Sequence, residues 1–120
     1  MYMRHVEESI QMQCVQWMQW QYPNIAMLLH HSPNGGKRNA REGARFKAMG
    51  TRAGFPDLAL YIANSHYHAL FIELKTDKGR QTDAQKQWQV LLTTQGYKYA
   101  VCRSFDQFVN ILTNYLNDIS

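Results

Sequence analysis

Apolar residues recur along the chain with two periods, one near 3.6 residues and one of short alternating or unbroken runs, and the two periods predict its elements. From Glu7 to Trp20, Ile10, Cys14, Val15 and Trp17 fall at helical spacing among Gln and Glu residues, which predicts a first helix of about four turns. Pro23 and Asn24 end it, and the run Ile25–Leu29 predicts a short buried strand leading to His30 and His31. Ser32 to Gly36 has the residues of a loop. A short basic helix is expected from Ala40 to Met49, after which Gly50 and Gly54 bracket a second loop that enters a strand at Leu58–Ala63.

The stretch Asn64–His66 reads as a hairpin turn, and the apolar, β-prone Tyr67–Leu74 that follows reads as a central strand. Thr82 can cap a helix from Asp83 to about Thr94, with Gln85, Trp88, Leu91 and Leu92 suggesting a partly apolar face, and Gly96 ends it. Tyr97–Cys102 is a further strand. Ser104 then caps a last helix whose stripe is Phe105, Phe108, Val109, Leu112, Tyr115 and Leu116. The predicted order is α, β, α, β, β, α, β, α, which implies an α/β fold with a mixed sheet of about four strands and helices on both faces.

A length of 120 residues, with 45% of them apolar, suffices for one hydrophobic core, so a single domain spanning 1–120 is expected. No apolar run approaches the ~18–20 residues that span a bilayer, and the N-terminus lacks the order of a signal peptide. The expectation is a cytoplasmic protein with no membrane partner. Cys14 and Cys102 lie in apolar-patterned segments without the spacing of a zinc or redox pair, so both read as buried thiols.

Formal charge is +4, from 13 Lys and Arg against 9 Asp and Glu, and the sequence pI of about 9.2 favours a polyanionic partner. The distribution carries more than the total. Lys37, Arg38, Arg41, Arg45, Lys47 and Arg52 crowd into one central stretch whose only acidic residue is Glu42, predicting one strongly positive face.

The chemistry concentrates around two short motifs. Asp57 follows Gly54-Phe55-Pro56 at a strand start, while Glu73 and Lys75 close the almost wholly apolar run Ala69–Ile72. Residues two apart on a strand point to the same face, so Glu73 and Lys75 can share one site while Leu74 turns back to the core. If the hairpin pairs about its turn, Asp57 lies beside Glu73. Two carboxylates brought together repel, and a hard cation such as Mg²⁺ relieves the repulsion while activating water and polarising a phosphate. Taken singly, a strand-start acid is commonly a turn cap and a Glu-x-Lys pair a solvated ion pair. Two like-facing charges at the end of an apolar strand favour a functional site.

In order and spacing these motifs resemble the PD-(D/E)-x-K nuclease superfamily, and within it the virus-type replication-repair nuclease (VRR-NUC) family in its stand-alone phage or bacterial form. The resemblance covers nearly the whole chain: Glu7 and Gln11 in the first helix, Pro33 to Arg38, Gly54 to Leu58, Ile72-Glu73-Leu74-Lys75, Gln85 to Trp88, and the Gly96-Tyr97 strand. It implies a restriction-endonuclease-like core with Asp57 and Glu73 as metal ligands and Lys75 as the catalytic lysine. The family's first-helix acidic ligand falls on Glu7 if Gln11 marks the register, with Glu8 the competing choice, and Gln85 resembles the helix glutamine that supports the site. The implied activity is a Mg²⁺-dependent endodeoxyribonuclease, with Mn²⁺ as substitute, that cleaves Holliday junctions as a homodimer. Flaps or ordinary duplexes are alternative substrates, and a non-catalytic DNA-binding module is the alternative class.

Beside such a site, Asn34, Lys37, Arg38, Arg41, Arg45 and Arg52 are expected to bind phosphates. His30, His31, His66 and His68 do not show the convergence of a zinc centre, and His31 is better placed as a substrate contact. The dimer contact is expected on the first and last helices, through Trp17, Trp20, Phe105 and Tyr115.

Overall fold

The computed structural model describes residues 2–33 and 39–118. Its elements follow in the predicted order: α1 (Tyr2–Gln21), β1 (Leu29–His31), α2 (Ala40–Ala48), β2 (Leu58–Leu60), β3 (Leu70–Leu74), α3 (Asp83–Thr94), β4 (Lys98–Cys102) and α4 (Phe105–Asn117). The strands lie side by side as β1-β2-β3-β4 in one mixed sheet. Both β1–β2 and β2–β3 are antiparallel, whereas β3 and β4 are parallel and joined through α3, because parallel neighbours need a crossover where antiparallel ones need only a turn.

The alternation of β3 divides the core in two. Leu70, Ile72 and Leu74 face one side with Leu58, Leu60 and Cys102, where they meet Cys14 and Met18 of α1 and Phe108, Leu112 and Tyr115 of α4. Ala59, Ala69 and Phe71 face the other side, covered by α3 through Leu92 and Trp88 and flanked by Phe55, Tyr97 and Tyr99. All five residues of β3 are therefore buried, which explains a run of apolar residues where a one-faced strand would alternate. Cys14 and Cys102 are free thiols in the larger cluster, and burial pushes Cys14 up to about 12.

Three expectations are corrected. The predicted strand Ile25–Leu29 is instead a single 3-10 turn at Ala26–Leu28 followed by the β1 edge strand. Only Ile25 and Leu29 pack on the core and Met27 is 96% exposed, so the run has the four-residue period of a helical turn. The hairpin strands are also shorter than predicted, because Asn64 organises a wider connection: its Oδ1 accepts from the amides of His66 (3.0 Å) and Tyr67 (2.8 Å). Finally, most of the aromatic residues assigned to a dimer contact belong to the core. Trp17 stacks edge-on with Phe105 and Phe108 between α1 and α4, and Tyr115 is buried with its hydroxyl donating to Ile62 O at 2.7 Å. Trp20, 79% exposed, is the one left to solvent.

Candidate active site

The β2–β3 register pairs Leu58 with Ile72, so the next residues along the same antiparallel alignment are Asp57 and Glu73. Both share the α3 side of the sheet with Ala59 and Phe71, by the two-residue alternation. Asp57 is held from two directions. Its Oδ2 accepts from the Leu74 amide at 2.6 Å, and its carbonyl takes the Ser32 amide at 3.1 Å and lies 2.9 Å from His31 Nδ1. The approach to Asp57 depends on Gly54, whose φ of +77° and close contact with α3 exclude a side chain: a Cβ there would stand 2.8 Å from that of Ala84. Trp88 fixes the same loop by donating Nε1–H to Ala53 O at 3.0 Å.

Glu73 is 1% exposed, an unusual position for a carboxylate. Its Oε1 accepts from Tyr99 OH at 2.5 Å and from Gln81 Nε2 at 3.0 Å, and Gln81 donates in turn to Gln89 at 3.0 Å. Its Oε2 is buried without a hydrogen-bond partner and lies 3.9 Å from Lys75 Nζ. Burial and the adjacent Glu73 carboxylate raise Tyr99 well above the ordinary phenol range, so it stays a protonated donor. Leu74, between Glu73 and Lys75, faces the α1/α4 core as the strand period requires.

Glu7, rather than Glu8, is the first-helix residue turned to these groups. Burial raises its pKa most, followed by Asp57, while Lys75 and the Thr76 backbone lower it. Burial likewise raises Asp57, with Glu73 adding to the effect and the Leu74 amide, His31 and Lys75 opposing it. Among the described residues no three His, Cys, Asp or Glu side chains close into a complete ligand set. The unpartnered Oε2 of Glu73 beside Asp57 nonetheless fits Mg²⁺, which typically binds through one or two carboxylates and keeps several waters.

Gln85 takes a different place from the one expected. Its Oε1 accepts from the Thr82 amide at 2.8 Å while its own amide donates to Thr82 Oγ1 at 3.1 Å, a reciprocal cap at the start of α3. The glutamine on Glu73 is Gln81. Neither Gln81 nor Tyr99 was singled out from sequence, nor was Arg103, which donates to Thr76 O and Gly79 O, both at 2.7 Å, and so clamps the turn after Lys75. The alternation of Tyr97 and Tyr99 toward the α3 side was the available signal for one of them.

Of the basic stretch, Arg41, Arg45 and Lys47 are exposed on α2 and Arg52 on the turn after it, while Asn34, Lys37 and Arg38 lie outside the described residues. The histidines scatter. His66 lies 3.3 Å from Asp118 and His68 packs against Gly96. No described helix is long and apolar enough to cross a membrane.

Comparison with known proteins adds to this geometry. The VRR-NUC domain family matches residues 5–106. A solved structure described as a VRR-NUC domain protein superposes with a TM-score of 0.84 at 31% identity, covering 95% of this chain and 90% of that one. No curated protein sequence matches the chain.

Proposed function

The chain belongs to the VRR-NUC family, a nuclease family acting on DNA, and from that premise we propose that it is a Mg²⁺-dependent endodeoxyribonuclease acting through Asp57, Glu73 and Lys75. The observation that carries this reading is the divided carboxylate of Glu73: one oxygen is held by two donors, and the other is buried without a hydrogen bond, its Lys75 neighbour standing 3.9 Å away. Such an oxygen is costly to keep in a fold unless a ligand completes it.

Asp57 and Glu73 would hold the cation, with Glu7 adding negative charge at its edge. When bound, Mg²⁺ would polarise the scissile phosphate and favour an ionised water. The chain's own residues do the positioning. Tyr99 and Gln81 fix the Glu73 carboxylate, the Leu74 amide fixes Asp57, and Lys75, with its side chain 11% exposed, brings a positive charge to where the attacking water and the phosphate oxygens meet. Arg41, Arg45, Lys47 and Arg52 hold the flanking phosphates.

Holliday junctions are the proposed substrate and a homodimer the proposed assembly, on the family resemblance and on symmetry: one two-fold contact gives two sites related as the junction's strands are. The chain measures 45 × 31 × 27 Å, small for a branched DNA with two cleavage points. The contact assigned is the outer stripe of α1, where Met12 and Trp20 are 67% and 79% exposed. The test compares a four-way junction, a flap, a nicked duplex and linear DNA in Mg²⁺, with chelator and Asp57→Asn as controls. Paired symmetric cuts in the junction, lost in both controls, are expected. Full activity in chelator would overturn the mechanism, and a monomer that trims only flaps would overturn the junction assignment alone.

A further inference from the structure

A cleft of about 500 Å³ opens on the α3 side of the sheet beside Asp57, lined among others by Phe46, Phe55, Trp88, His30, Ser32 and Arg52. It contains none of the proposed catalytic residues. Its volume suits one small ligand, and three aromatic rings are an unusual concentration for a surface of otherwise basic character. Phe55 and Trp88 pack edge to face, with centroids 4.9 Å apart, and the Trp88–Ala53 hydrogen bond holds the indole in place. Ser32, whose amide bonds to Asp57 O, joins the cleft directly to the site.

Resting on the nuclease reading above, we propose that this cleft takes the base of one unpaired nucleotide of the DNA strand next to the scissile phosphate. Charge complementarity selects the occupant. The helix that contributes Phe46 also carries exposed Arg41, Arg45 and Lys47, Arg52 follows it, and Glu42 is the acidic residue among them. Arg52 lines the cleft and Ser32 joins it to Asp57, so a phosphodiester chain running from Arg52 to Asp57 passes the cleft, whose aromatic lining suits the stacking of any base. His30 and Ser32 supply polar groups for base edges.

The cleft also imposes a preference. A base paired within a continuous duplex must be unstacked before it can enter, whereas a base at a gap, flap or branch is already partly free. Selectivity for interrupted DNA then follows from the cleft without a sequence-reading element.

The test uses the full chain in chelator, so that binding is read without cleavage, and a gapped duplex carrying 2-aminopurine at the unpaired position. The wild type is expected to quench the probe and to bind the gapped DNA about tenfold more tightly than an analogue abasic at that position, which corresponds to about 1.4 kcal/mol, within the range for one stacked base. Phe46→Ala, and Thr51→Phe to fill the cleft, should each abolish the quenching and the tenfold difference while keeping native circular dichroism and wild-type affinity for continuous duplex. Unquenched probe, or an abasic analogue bound as well as the intact one, overturns the proposal. So does an equal loss of affinity for all DNAs in the variants, which would make the cleft a backbone contact. Cleavage of the gapped duplex in Mg²⁺ without quenching would remove the cleft and keep the nuclease. Quenching without metal-dependent cleavage of any DNA would do the reverse.

Discussion

Replacing Tyr99 by Phe removes one oxygen and little else, because the ring keeps its place in the cluster with Phe71, Trp88 and Leu92. The oxygen removed is one of two donors to the Oε1 of a carboxylate that is 1% exposed. A hydrogen bond to a charged group contributes about 1.5–3 kcal/mol, and since Gln81 remains, a loss of about 2 kcal/mol is expected. For a domain of this size that lowers Tm by roughly 6–12 °C, measured by thermal denaturation in chelator at pH 7. The functional effect is separable from stability. A Glu73 carboxylate free to rotate should lower kcat at least tenfold and raise the Mg²⁺ concentration for half-maximal cleavage, with KM for DNA unchanged. Gln81→Leu should act in the same direction, and the double variant should lose more than the sum of the two, because it strips both donors from one buried oxygen. Wild-type Tm, kcat and Mg²⁺ requirement in Tyr99→Phe would refute the positioning role. A raised KM with unchanged kcat would place Tyr99 on the DNA instead.

Burial raises Asp57 and Glu7, so the stability tied to these two groups is fully present below their unfolded values of about 4 and is lost as pH rises through the raised folded values. In chelator, Glu7→Gln should therefore exceed the wild type in Tm by a margin that grows with pH. Mg²⁺ at 100 times its Kd should add about 2.7 kcal/mol to the wild type, and a Tm indifferent to Mg²⁺ would count against a cation at this site. Glu73→Gln and Lys75→Ala should abolish cleavage while leaving DNA affinity nearly intact, as filter binding would report; loss of binding by a folded variant would mean the site is misassigned. Replacing Arg41, Arg45 and Arg52 together by Ala should flatten the salt dependence of binding by roughly 0.9 per lost phosphate contact, and an unchanged slope would place the DNA elsewhere.

What could be read in advance is what local periods determine. The turn Asn64–His66 centres on Ser65, and the observed β2–β3 register pairs residues symmetrically about that position, although the strands stop short of it. A tight local signal thus placed Asp57 beside Glu73. Likewise the alternation of Glu73, Leu74 and Lys75 is a property of extended backbone alone. The choice between Glu7 and Glu8 was also present in the chain, since Cys14 and Met18 are the fully buried positions among the described residues of α1 and Glu7 continues their stripe about two turns before Cys14. The same stripe takes Trp17 toward α4 and leaves Trp20 outside.

The parts that were not legible depend on long connections. The register of β3 with β4 is set across the whole of α3, with no turn to specify it, so nothing local says that Tyr99 will reach Glu73. Gln81 and Gln85 show how chemistry at the start of α3 misleads. Both are glutamines near a cap, and the reciprocal bonds of Thr82 and Gln85 complete the helix start with Gln85, leaving the residue before the cap to meet the carboxylate.

The placement of the site follows from the same division of labour. Apolar pairing holds β2 and β3 together through Leu58 and Ile72, and the repelling carboxylates come one step further along, where the β2 ladder has ended. The sheet can therefore form without them. Charged Asp57 and Glu7 oppose folding in part, as their upward shifts show. What keeps the cluster assembled is a set of neutral donors: the Leu74 amide on Asp57, and Tyr99 and Gln81 on Glu73. Neutral donors orient a carboxylate without cancelling its charge, whereas an arginine in their place would cancel it. Lys75 is the cation set against the carboxylates, 3.9 Å from Glu73 Oε2, whereas Arg41, Arg45, Lys47 and Arg52 lie on α2 and the loop after it.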